Sequence, residues 1–249
     1  MSGVDRHDPS AGGGGRDSAA EADAALAPPE VDAARERAAT ALRRLGNALV
    51  GYECDPLLLE QIAARADGIA AEVELGTPRS REIGTVKRRL WETPPPDGGA
   101  LSHFPECVVS GKANPMGIAM DVRREGDEAV GEVRLGPAFE GAPKRAHGGV
   151  TAAIFDDVMG YVLVLLRIPA YTGRLAVTYR APVPVGERLQ VRARLRERAG
   201  RKLWMEAEMT LLAAHEPRVI GEAEGLFIAI PPERLGIRRP LEDGRDAQK

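Results

Sequence analysis

Two hydrophobic rhythms divide this chain. Before about residue 90, apolar residues recur at helical spacing: Leu42, Leu45 and Leu49, then less strictly Leu58, Ile62 and Ile69. Asp55-Pro56, between the two sets, reads as an N-cap followed by proline at the first helical position. Thr93-Pro-Pro-Pro-Asp-Gly-Gly99 then reads as a stiff linker. Beyond it the period drops to two. Ile118, Met120 and Val122 alternate with Asp121 and Arg123, a turn follows at Glu125-Gly-Asp127, and Ala129 to Leu135 completes an expected hairpin. Leu175, Val177 and Tyr179 alternate next. Leu189, Val191, Ala193 and Leu195 do so cleanly against Gln190, Arg192, Arg194 and Arg196. Leu203 to Leu211 repeats the rhythm, and Val219 to Ile230 closes the set. Such patterning predicts a sheet with one face packed and one wet. The short turns at Val185-Gly-Glu187 and Ala199-Gly-Arg201 suit antiparallel neighbours.

One long apolar stretch with helical potential interrupts these strands and runs to Leu166. The expected architecture is therefore α+β: an antiparallel sheet of about six strands and one long helix against its apolar face. The expected division is a tail over 1–28, a helical segment over 29–92, a linker over 93–103, the sheet-and-helix unit over 104–232 and a polar tail over 233–249.

Composition narrows the function. Hydrophobic residues make up 43% and aromatics only 4%, so the core is aliphatic. A formal net charge of −3 leaves no electrostatic footprint for nucleic acid. Cys54 and Cys107 form no CxxC and no signal-peptide pattern opens the sequence, so reduced thiols and a cytoplasmic location are expected. Uninterrupted apolar runs such as Tyr161 to Leu166 fall short of the roughly 20 residues that span a bilayer, so no membrane insertion is expected. The glycine run at Gly12 to Gly15 lacks the Lys-Ser/Thr of a phosphate loop. The four histidines show no metal-ligand spacing, and neither GxSxG nor a dinucleotide fingerprint occurs, so no metal or cofactor is expected. Arg79, Arg81, Lys87, Arg88 and Arg89 form a basic cluster, read as a solvated helix face or as a contact for an anionic ligand or subunit.

The chemistry concentrates between Lys144 and Leu166. A basic loop passes through His147-Gly-Gly149 into the apolar helix, which carries Asp156 and Asp157 in its middle. An unpaired charge in a buried helix is expensive to desolvate, so two adjacent acids there need a reason. The glycine pair allows close backbone approach and leaves N–H groups free at the helix start.

A wider set of residues resembles a known family. Asn114-Pro-Met-Gly117, Gly136-Pro-Ala-Phe-Glu-Gly141, His147-Gly-Gly149, Asp156 nine positions on, and Thr172 leading into Leu175-Ala-Val-Thr-Tyr-Arg-Ala-Pro-Val-Pro184 are together similar to the hotdog-fold acyl-CoA thioesterases of the PaaI-like family. The match covers about residues 104 to 230. It implies a curved sheet wrapped around one central helix, an acyl-CoA substrate, and a homodimer or dimer of dimers. Where relatives carry Asn or Gln just upstream of the HGG, this chain has Glu140-Gly141 and Lys144-Arg145.

Thioester hydrolysis needs a group that attacks or activates water, and donors for the charge developing on the carbonyl oxygen. A helix start supplies donors and a positive pole, so Gly149, with Gly148 beside it, is the expected backbone donor. Asp156 is the expected nucleophile or general base. The two lie seven residues apart on one face, about 10 Å along the axis, so they cannot both touch one carbonyl group within a chain. A two-fold partner with an antiparallel helix would bring Asp156 of one subunit to Gly149 of the other. His147 either orients the carbonyl or stiffens the turn. Thr172 resembles the hydroxyl with which some relatives position water, and otherwise starts a strand. Asn114 lines the pocket or forms a turn. Arg145, Arg174 and Arg180 are candidates for the coenzyme A phosphates, which guanidinium suits. Asp157 is expected to pair with a strand arginine. Ala152, Ala153, Val158 and Met159 line an acyl tunnel or pack the core. A non-catalytic acyl-CoA sensor on the same fold is the alternative, though a binder gains nothing obvious from Asp156. A hotdog hydratase has the opposite order of Asp and His.

Overall fold

Residues 29–79, 93–102, 104–212 and 216–231 are described by the structure, a computed structural model. The expected tails, and Arg81, Lys87, Arg88 and Arg89 of the basic cluster, lie outside the described residues. The helical rhythm resolves into α1 (Pro29–Gly51) and α2 (Pro56–Glu74). Asp55 caps α2 as its position before Pro56 predicts, its carboxylate accepting from the Leu57 N–H at 2.8 Å.

The period-two residues form β1 (Asp121–Glu125), β2 (Glu128–Arg134), β5 (Ala170–Tyr179), β6 (Arg188–Ala199), β7 (Lys202–Leu211) and β8 (Arg218–Ala229). Their order across the sheet is β1-β2-β6-β7-β8-β5, and every neighbouring pair is antiparallel. Strand β1 begins three residues later than the alternation from Ile118 suggests. The N–H groups of Ile118 and Met120 donate instead to the carbonyls of Val108 and Val109 in the preceding loop. A small ribbon, β3 (Glu140–Ala142) with β4 (Arg145–Ala146), is too short for alternation to announce it.

Helix α3 (Gly148–Leu166) lies on the apolar face. Thr151, Ile154, Phe155, Val158, Met159 and Tyr161 to Val164 are buried against Leu189, Val191, Leu203, Met205, Met209 and Phe227. Val158 and Met159 are thus core residues, while Ala152 and Ala153 are half-buried. Each fully buried aliphatic or Met side chain contributes about 1.5–3 kcal/mol. Close approach of β8 depends on Gly225, where a Cβ would stand 2.6 Å from the Met159 sulfur. At 19 residues and a mean hydropathy of 1.7, α3 is long and apolar enough by composition to cross a membrane, the two aspartates notwithstanding. Half of that window is buried in this fold, as a core helix requires.

The opposite face of the sheet is wet, and its alternating arginines are engaged there. Arg192 reaches Glu125 and Glu128 at 2.6 and 2.7 Å, Arg194 reaches Glu206 at 2.6 Å, and Arg196 reaches Glu224 at 3.1 Å. Exposed pairs like these contribute little each.

Helix α1 is fastened to the sheet unit by polar contacts. Arg43 donates to the carbonyls of Lys112 and Asn114 at 2.9 and 2.7 Å. Asn47 accepts from the Ala138 N–H at 3.2 Å, within a 3₁₀ turn over Pro137–Phe139. Gly136 makes room for this, since a Cβ there would lie 1.9 Å from the Asn47 oxygen. Gly136→Ala is expected to lower stability by about 1–3 kcal/mol through that overlap. In an Asn47→Ala background the same change should cost clearly less, as paired urea unfolding curves would read.

Candidate active site

The start of α3 is held from three sides. The Ala146 N–H donates to Val183, the His147 N–H donates to the Phe139 carbonyl at 2.9 Å, and the Tyr179 hydroxyl donates to the Gly148 carbonyl at 2.8 Å. His147 is the N-cap, with extended backbone at φ −64° and ψ 135°, and its Nδ1 accepts from the Gly149 N–H at 2.9 Å. The Gly149 donor expected to be free is therefore capped by His147. The Gly148 N–H makes no hydrogen bond among the described residues.

An open cleft of about 530 Å³ adjoins this helix start, lined by Arg145, His147, Gly148, Tyr179 and Arg180 among others. Four sequence-selected residues thus meet there. Arg145 is exposed and forms no ion pair among the described residues. Arg180 is held by Glu222 at 2.7 Å, which raises its already high pKa, the hydrogen bond being the main cause.

Asp156 lies two turns further along α3, half-buried, and accepts from the Thr172 hydroxyl at 2.7 Å. A bulge in β5 allows that contact. The register with β8 shifts between Thr172 and Arg174, around Gly173. Ala170 packs on the core before the shift, and Leu175 and Val177 do so after it. One extra residue therefore puts Thr172 on the helix side together with Leu175 and Val177, which strict alternation from Leu175 would forbid. The cleft residues and the Asp156–Thr172 pair thus lie at two levels of one helix, separated along its axis.

Asp157 faces elsewhere. The Cys107 thiol donates to its Oδ1 at 3.0 Å. Burial pushes the Cys107 thiol pKa up, and the neighbouring Asp157 charge and hydrogen bond raise it further. A thiol with a raised folded-state pKa adds stability below the ordinary thiol range and loses it as pH rises through the raised value. Cys107 is expected to alkylate with iodoacetamide several-fold more slowly than Cys54 at about pH 8. Asp157→Asn should narrow that gap, as mass spectrometry of the labelled chain would read.

Asn114 is engaged as a turn former. Its amide donates to the Glu106 carbonyl at 3.1 Å, its side-chain oxygen accepts from the Met116 N–H at 2.8 Å, and its own carbonyl holds Arg43. None of these bonds leads to Asp156 or to the helix start. Arg174 is exposed on β5. Two residues at the site have roles that sequence reasoning missed. Tyr179 is legible as a strand position within the strand end that carries the resemblance, but not as a partner of the helix start. Asn47, which braces the turn that receives the His147 N–H, sits some hundred residues away in an ordinary helical pattern. Among the described residues, no cluster of His, Cys, Asp and Glu has the arrangement of a metal site.

Comparison with known proteins agrees with the fold. Residues 144–212, which hold His147, Asp156 and Thr172, match the family model described as thioesterase superfamily. The acyl-coenzyme A thioesterase THEM4 of Mus musculus is 32% identical over 96 residues, covering 39% of this chain and 40% of that protein. THEM4 of Xenopus laevis is 31% identical over 98 residues, covering 39% and 43%. The chain thus matches less than half the length of these curated relatives. A crystal structure of a thioesterase superfamily protein superposes with a TM-score of 0.66 at 24% identity, covering 78% of this chain and 90% of that one. That share exceeds what residues 104–232 can supply, so the likeness in fold reaches into the N-terminal segment. The hotdog fold expected from the sequence is borne out.

Proposed function

We propose that the chain, whose residues 144–212 are a thioesterase-superfamily segment, hydrolyses an acyl-CoA thioester to a free acid and CoA. The observation that carries this reading is the Asp156–Thr172 contact at 2.7 Å, on the same helix whose start lines a cleft with Gly148 beside Arg145. The Thr172 hydroxyl fixes one carboxylate oxygen of Asp156 and leaves the other for chemistry. Either Asp156 takes a proton from a water that attacks the carbonyl carbon and passes it to the departing sulfur, or it attacks that carbon itself to form a mixed anhydride that water then cleaves to the free acid, regenerating the carboxylate. In both routes the CoA sulfur leaves with the bonding pair of the broken C–S bond and is protonated.

The helix start supplies the opposite charge. The Gly148 and Gly149 amides and the positive pole of α3 stabilise the developing oxyanion. The Gly149 amide becomes available when the His147 imidazole turns aside. His147 is thus a gate on that donor as well as a cap. Arg145 and Arg174 meet the CoA phosphates, whereas Arg180 must first release Glu222. Gly149 and Asp156 stand about 10 Å apart along α3, so one active site joins the helix start of one copy to the carboxylate of another. Edge strand β5, with Tyr171 and Tyr179 about half exposed at 53% and 51%, supports an interface on that side.

The test is a thiol-release assay on the full chain over a panel of acyl-CoAs. Turnover on at least one is expected; binding of acyl-CoA without turnover across the panel would favour a sensor instead.

A further inference from the structure

The N-terminal helices carry apolar side chains that remain exposed among the described residues. On α1, Ala38, Leu42, Leu45, Leu49 and Tyr52, the last just past its end, follow one another at intervals of four, three, four and three. On α2, Leu59, Ile62, Ala66, Ile69 and Val73 follow at three, four, three and four. These are the seams of helices that pack in near-parallel bundles. Yet Leu42 is 53% exposed, Ile69 61% and Val73 73%, and no residue of α2 is buried. The inner face of α1, with Ala39, Arg43 and Asn47, already holds the sheet unit, so its seam points away from its own fold. Rows of exposed apolar side chains at bundle spacing mark an interaction site.

Charge selects the occupant. From Arg37 to Gly51, α1 has no acid, and Arg37 and Arg44 are exposed, apart from the Arg43 that holds the sheet unit. Helix α2 has Glu60, Asp67, Glu72 and Glu74 against a single cation, Arg65. Glu72 and Glu74 also sit at the helix C-terminus, where the macrodipole disfavours anions. Pairing α2 with α2 would stack like charges, while α1 against α2 offsets them. We infer that the α1 seam is covered by α2 of a second copy of this chain, and its α2 by the α1 of that copy. Two such contacts related by a two-fold make a four-helix bundle beside the sheet units. The pairing stands whether or not the chain hydrolyses thioesters. It also differs from the contact proposed along β5.

Cross-linking of two tagged full-length pools, each in a Cys54→Ser background, tests this. One pool carries Leu45→Cys and the other Ala66→Cys, and a short bismaleimide joins them. A control pool carries Asp127→Cys, in the exposed turn before β2. The mixed Leu45–Ala66 product is expected at about tenfold or more above any product with the control. Adding Leu42→Glu to the first pool should lower it by about tenfold or more, because a charge would enter the apolar seam. Leu42 is half exposed, so that variant should keep the far-ultraviolet circular dichroism of the parent. A mixed product at control level, with the chain free in solution or bound instead to phospholipid vesicles, overturns the inference. So does a product that Leu42→Glu leaves unchanged.

Discussion

Asp156→Asn is expected to lower kcat for thioester hydrolysis by about 10²–10⁴-fold, the usual contribution of a positioned acid–base group. The variant changes little else. Asparagine has nearly the same shape, and its side-chain oxygen still accepts from the Thr172 hydroxyl, now 2.7 Å from the carboxylate. What disappears is the negative charge and with it the capacity to take a proton or attack carbon. KM should therefore move far less than kcat, and thermal unfolding should stay close to the parent. Steady-state kinetics of the purified variant on the best acyl-CoA separates these quantities. Unchanged kcat would remove Asp156 from the chemistry.

Gly149→Pro acts at the other half-site and is expected to lower kcat by about 10²–10³-fold, the range for losing one oxyanion donor. Proline has no N–H but is tolerated in the first turn of a helix, so α3 should still form. The variant also deprives His147 Nδ1 of the hydrogen bond now measured at 2.9 Å, at a cost of about 1 kcal/mol. A drop in kcat much larger than the accompanying loss of stability explains would identify the amide as a donor to the substrate. If Gly148 alone polarises the carbonyl, kcat should fall only slightly.

The sequence made the fold legible because the two periods are clean. Leu189, Val191 and Ala193, and Leu203, Met205 and Ala207, alternate without interruption and are buried as that alternation requires. The α3 start was legible where the loop through His147-Gly-Gly149 gives way to the long apolar run to Leu166. Four features stayed hidden for physical reasons. The Asp156–Thr172 contact depends on a bulge at Gly173, and a bulge inverts the parity that strand reading relies on. Tyr179 belongs to the strand end that carries the resemblance, but nothing in the sequence tells that its hydroxyl holds the Gly148 carbonyl. The capping of the Gly149 amide by His147 is a rotamer choice, and no spacing encodes a rotamer. Asn47 is a longer-range case: its role depends on α1 docking over Gly136, which only the folded chain brings together.

The proposed site is divided between two copies of the chain. Chains carrying Asp156→Asn and chains carrying Gly149→Pro can be mixed in equal amounts, exchanged by brief denaturation and refolding, and assayed for thiol release. A mixed pair rebuilds one of its two sites from intact halves, so activity should return to about a quarter of the parent, far above either variant alone. Activity no greater than the average of the two separate variants would contradict it.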